Sequence, residues 1–397
     1  MKKLRALPVQ QLPLLAQIAS LTLLALLFAG CSGTGMTMMT TPPPAPQNAS
    51  FAFVANMNAN TVSAFAIDPK TGALSRVAGS PFAAGTAPEF MATDPSGSLL
   101  FVANSGSSSV SVFQINTQTG ALAAVSGSPF AVGARPEGVA VDPLGKFVFV
   151  ANQASNSISV FALAANGALA PIAGSPFAAA HPFSLAVHPS GKFLYTNNFP
   201  DSTASDLNSV STFQIAVSGA LSPLPGAPSA TANAPGFASS IGLAMDAQGK
   251  FLFVTDHMAQ AVVPFKVDPA SGTLTPASTL PTPPVSCNGV SCHNNPLRVA
   301  VHPNNQLVYA SNVQAGTVSA FGVVAGGLSP IAEFPVGQHP FGVALDPTGT
   351  FLYVANRVDS SISAFSVNAS TGMLTPVSGS PFPAGAAPTN ILIVAGH

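Results

Sequence analysis

Six side chains carry most of the reactive chemistry in a chain with little charge, only 6% of 397 residues. Glu89 and Glu137 each stand directly after a proline, in Ala87-Pro88-Glu89 and Arg135-Pro136-Glu137. Arg135, His181 and His339 each stand directly before a proline, and Arg298 closes Asn295-Pro296-Leu297-Arg298. Carboxylate, guanidinium and imidazole gathered in one place can bind a polar or anionic ligand, or supply acid–base groups. Solvated loop residues that keep a channel mouth wet would have the same composition, so position has to decide between the two.

The position comes from a repeat. Its clearest copy is RPEGVAVDPLGKFVFVANQASNSISVFALAANGALAPIAGSPF, from Arg135 to Phe177. A short apolar run, Gly138–Val141, meets Asp142-Pro143-Leu144-Gly145, a type I turn signature. Phe147–Ala151 is a second run, Ser157–Phe161 alternates as a half-wet strand does, and Leu169–Ile172 is a fourth run. None of it has helical spacing. The second run closes at Asn56, Asn104, Asn152, Asn198, Asp256, Asn312 and Asn356, and the first steps are 48 residues. The third run carries Phe65, Phe113, Phe161, Phe213, Phe265, Phe321 and Phe365. Four short strands in such a repeat predict an all-β propeller of seven four-stranded antiparallel blades, with these phenylalanines between blades.

The first copy, Phe51–Asn56, begins at a second strand, and the last copy ends after a first strand, Thr389–Val394. The two halves are expected to pair in one blade and so remove an exposed edge. A single domain over residues 51–397 follows. The proline-flanked charges all lie where first strands begin, at one end of the channel. The longer connections, across 198–213, 222–239 and 275–295, leave the blades at that same end. Insertions gathered on one face of a repeat protein point to a binding side. His188 and His302 replace the turn aspartate at the opposite end, where a turn role accounts for them.

Residues 1–30 read as an export signal: Lys2, Lys3 and Arg5, an apolar stretch over Leu14–Phe28, then Ala29-Gly30. Leu27-Phe28-Ala29-Gly30-Cys31 resembles a bacterial lipobox, which implies cleavage before Cys31 and lipidation of its thiol. An ordinary signal peptide with an incidental cysteine is the alternative. Residues 31–50, rich in Pro, Thr and Gly, form a tether. The implied location is the cell envelope, with the membrane engaged only through the lipid. After residue 30, nine Lys and Arg face thirteen Asp and Glu. With no basic patch, nucleic acid is not an expected partner. Cys287 and Cys292 share a loop and could form a local disulfide; a metal site with His293 lacks a fourth ligand nearby. No metal or cofactor is expected, and a monomer is.

The phrases FVAN, FLYTNN and FLYVAN, with HPSGKFLY and DPTGTFLYVAN, resemble the seven-bladed lactonase family, which includes propeller-type 6-phosphogluconolactonases, and the YVTN-repeat propellers of cell surfaces. The resemblance spans 51–395. It implies ring opening of a sugar-type or other small lactone, with water activated by His181 or His339 and the oxyanion held by Arg135 or Arg298. Glu89 and Glu137 would contact the ligand. The family's Pro-Arg-His is replaced here by Pro-Glu-Phe, Pro-Glu-Gly, Pro-Phe-Ser, Pro-Leu-Arg and Pro-Phe-Gly. The competing expectation is therefore a non-catalytic propeller that binds a glycan, a peptide or an envelope protein through the inserted face.

Overall fold

Each repeat folds because its apolar runs are too short to bury both faces of one sheet, so neighbouring sheets must cover one another. In the computed structural model, the described residues are 50–199, 209–225, 229–230, 240–257, 259–277, 295–324 and 327–396. They form seven antiparallel sheets and no helix. Blade 1 comprises Pro88–Thr93, Leu99–Asn104, Ser109–Ile115 and Leu122–Ala124. Blades 2 to 6 follow with first strands at Pro136–Val141, Pro182–Val187, Ser240–Met245, Pro296–Val301 and Pro340–Leu345. Blade 7 joins Pro388–Val394 to Phe51–Asn56, with Phe51 opposite Val394 and Asn56 opposite Pro388. The expected closure by head and tail of the chain is thus present.

Seven apolar clusters fill the seven contacts between blades. Each holds one third-strand phenylalanine at 4% exposure or less, as the repeat predicts. Burying one such ring stabilises by about 1.5–3 kcal/mol. All three tyrosines add the same cross-blade bond: the hydroxyls of Tyr195, Tyr309 and Tyr353 donate to the carbonyls of Gly272, Gly372 and Gly72.

The strand-closing asparagines are also structural. Each Nδ2 donates to two hydroxyls on the third strand, as Asn152 does to Ser157 (3.2 Å) and Ser159 (2.9 Å). In blade 4 those hydroxyl positions are Ala261 and Val263, which cannot accept, and the asparagine is Asp256, which instead accepts from the Ala259 amide. His188 and His302 do fill turn roles, since Nδ1 of each accepts a backbone amide two residues on. Their Nε2 atoms also reach the Gly249 and Gly349 carbonyls of the next blade, at 3.1 and 3.0 Å.

The blades depart from the expected meander in one respect. After the three-residue fourth strand of blades 1, 2, 6 and 7, the Gly-Ser-Pro-Phe phrase turns back, and two residues pair again with the third strand, as in Phe177–Ala178. Blade 5 lacks that phrase and runs as one strand, Gly327–Pro335.

Candidate functional site

The mouth is shaped by backbone before side chains enter. The residue before each proline, Ala87, Arg135, His181, Asn295, His339 and Ala387, has φ of 41–52°. That left-handed geometry is unusual for residues with a Cβ. Its carbonyl accepts the amide of the residue after the strand-closing asparagine: Gln153 to Arg135, Phe199 to His181, Val313 to Asn295, Arg357 to His339. Just inside, every first strand shifts register against its second strand. Such bulges re-aim side chains, and here they present the residues after the prolines to the axis.

An eighth apolar cluster sits there, joined through Phe90 to the one between blades 1 and 2. Phe183, Ile241 and Leu297 form its buried part, with Phe90, Phe199 and Phe341 packed against them. Phe183 meets Phe90 edge-on at 5.9 Å and Phe199 at 5.1 Å. The Arg298 guanidinium lies 3.9 Å from the Phe90 ring centre, and 5.5 and 5.6 Å from those of Phe183 and Phe341. Contacts this close between a desolvated cation and aromatic faces are attractive, by about 2 kcal/mol. Arg298 is 6% exposed; Nη1 donates to the Ile241 carbonyl at 3.0 Å, and buried Nε has no hydrogen-bond partner.

Two carboxyls share this field. Glu89 is 9% exposed, and its pKa is pushed up from 4.5 to about 7, first by burial and then by the charge of Glu137. Arg298, Arg357 and Arg135 pull the other way. Burial also raises Glu137, against the pull of Arg135, whose Nε bonds Oε1 at 2.8 Å. Burial lowers Arg298 to about 10, with the two glutamates opposing. Arg357 adds a further guanidinium, 5.0 Å from the Phe341 ring centre and 3.0 Å from the Met57 sulfur.

The structure therefore brings Glu89, Glu137 and Arg298 together at the axis, with Arg135 reaching Glu137 from an exposed position. His181 and His339 stand on the rim in blades 3 and 6, across the ring from each other. His181 is half-buried, its amide held by Asn156. His339 is exposed and lines a cleft of about 400 Å³ with Arg357, Asn58 and Ser360. Cys31, Cys287, Cys292 and most of the three long connections lie outside the described residues. No group of three or more potential metal ligands occurs among the described residues. Sequence reasoning left Arg357, His257 and the axial phenylalanines out of the site. The signal available was phase: Phe199, His257 and Arg357 each follow a strand-closing Asn or Asp. Burial lowers the pKa of His257, and its buried Nδ1 has no partner.

These features define a seven-bladed propeller with a charged, aromatic-walled mouth on its axis. The chain belongs to the lactonase family of seven-bladed β-propellers, whose model matches residues 46–136, 127–230 and 206–389. No curated protein matches it. Among solved structures it is similar to a candidate 6-phosphogluconolactonase from Bacteroides uniformis, at 21% identity and TM-score 0.74 over 88% of this chain and 100% of that one. It is similar to a periplasmic gluconolactonase from Pseudomonas aeruginosa, at 18% and 0.71 over 88% and 100%. It is also similar to hydrazine synthase from Kuenenia stuttgartiensis, at 20% and 0.57 over 84% and 99%. At these identities the likeness shows the fold alone, and a fold hosts many chemistries.

Proposed function

We propose that the protein is an exported hydrolase that opens the ring of a small lactone at the channel mouth. The observation that carries this reading is Glu89, a buried carboxyl titrating near neutrality beside a buried guanidinium. A base with pKa near the working pH combines availability with proton affinity. Glu89 takes a proton from a water molecule, whose oxygen attacks the lactone carbonyl. The oxyanion that forms is held by the guanidinium of Arg298 or Arg357. The acyl C–O bond then breaks, and the leaving ring oxygen takes the proton from Glu89, giving a hydroxy acid. Glu89 thereby takes the base role that the sequence assigned to His181 or His339, which the fold sets on opposite sides of the ring.

The test is a panel of sugar, alkyl and aryl lactones with wild type and Glu89→Gln. The expected loss in kcat/KM is about 10²–10⁴-fold. Equal rates would overturn the role of Glu89, and a wild type that opens none of the panel would leave the non-catalytic binding propeller standing. Export and anchoring rest on the segment ending at Cys31. Replacing Cys31 with Ser should move the protein from the membrane to the soluble fraction and abolish labelling by a fatty acid.

A further inference from the structure

We infer that the mouth takes a ligand with a flat apolar body and one carboxylate or lactone carbonyl, namely an aryl- or alkyl-substituted lactone and its hydroxy acid, rather than a sugar lactone. The inference rests on the hydrolase reading and deepens it at the same site. A polyhydroxylated ring needs a donor or acceptor for nearly every hydroxyl, because a buried polar group without a partner is costly. Much of the wall offered here is aromatic carbon. Phe90, Phe199 and Phe341 come from three blades and remain partly exposed, whereas the third-strand phenylalanines between blades are closed off, at 4% exposure or less. Apolar surface left open beside a few polar groups is what ligand sites show.

The charged groups fix the other end of the ligand. The guanidinium of Arg298 lies against one ring and keeps its buried Nε unpartnered. A carboxylate oxygen placed there would satisfy it by a charge-assisted bond. Around Glu89 the guanidiniums of Arg298, Arg357 and Arg135 oppose one neighbouring carboxylate, Glu137, so that part of the mouth favours an anion. Protonation of Glu89 increases that excess.

The chain has no tryptophan, so an aromatic acid can be followed by its own fluorescence. Purified protein is titrated at pH 6 with 2-naphthoate, and by calorimetry with gluconate and a series of straight-chain carboxylates. We expect naphthoate to bind at least tenfold more tightly than gluconate. Affinity should rise about fourfold per added methylene, the factor that corresponds to 0.8 kcal/mol. Phe341→Ala, at a partly exposed ring, should weaken naphthoate at least tenfold without lowering the melting temperature appreciably. Gluconate binding as tightly as naphthoate, or an unchanged Kd in both Phe341→Ala and Phe90→Ala, would overturn the inference. Naphthoate binding without turnover of any lactone would support it while removing the hydrolase reading. Equal kcat/KM for sugar and alkyl lactones would do the reverse.

Discussion

Glu89→Gln has a consequence for stability that can be worked out from the structure and measured without a substrate. Burial, and then the charge of Glu137, raise the Glu89 pKa from 4.5 in the unfolded chain to about 7 in the fold. Between those values the folded state holds a proton that the unfolded state has released. Stability is therefore fully present below pH 4.5 and is lost as pH rises through 7. At 1.36 kcal/mol per pH unit the difference amounts to about 3 kcal/mol, or about 4 °C in melting temperature for a propeller of this size. Glutamine keeps the shape and cannot ionise. The gap between variant and wild type should therefore widen in the variant's favour from pH 4.5 to 7.5 and then level off. The difference curve isolates Glu89 from His257, whose lowered pKa works in the opposite direction below 6.5. It carries a smaller contribution from Glu137, which loses a like-charged neighbour. The assay is thermal or urea unfolding of both proteins at half-unit steps of pH. Parallel curves across this window would show that Glu89 is not the buried, proton-holding carboxyl on which the site depends.

Other outcomes follow from the same structure. Truncation after Ala387 removes the strand that pairs with Phe51–Asn56 and leaves Phe51–Asn56 as an unpaired edge; the expected result is loss of the cooperative melt seen for the full chain. Tyr353→Phe deletes the 2.9 Å bond to the Gly72 carbonyl between blades 6 and 7, and urea unfolding should show a loss of about 1–2 kcal/mol. Gly138→Ala places a Cβ 2.3 Å from the Phe183 carbonyl oxygen. That overpacking should cost about 1–3 kcal/mol and alter lactone or naphthoate binding, because it displaces the strand that carries Phe183.

The axial site was half legible in the sequence. Glu89, Glu137 and Arg298 could be picked out because charge is rare and the prolines set a common phase. Arg357 was missed although Asn356 marks its place as plainly. The axial phenylalanines were missed because phenylalanine is common throughout the chain, and composition cannot tell a ring between blades from a ring on the axis. The short strand after each Gly-Ser-Pro-Phe phrase was missed because two residues carry no periodicity.

Blade number, closure by the two ends, the aromatic packing between blades and the turn roles of His188 and His302 were all determined by the sequence. Each is a local pattern repeated in phase, and stacking follows once a sheet cannot cover itself. What the tertiary structure decided is which of the repeat's positions reach the axis. Phe90, Phe183, Arg298 and Phe341 are separated by more than forty residues at each step, and they meet only because seven bulged strands close into a ring narrow enough for opposite side chains to touch. The same closure buries Glu89 beside a guanidinium and raises its proton affinity, and no reading of neighbours along the chain contains that distance.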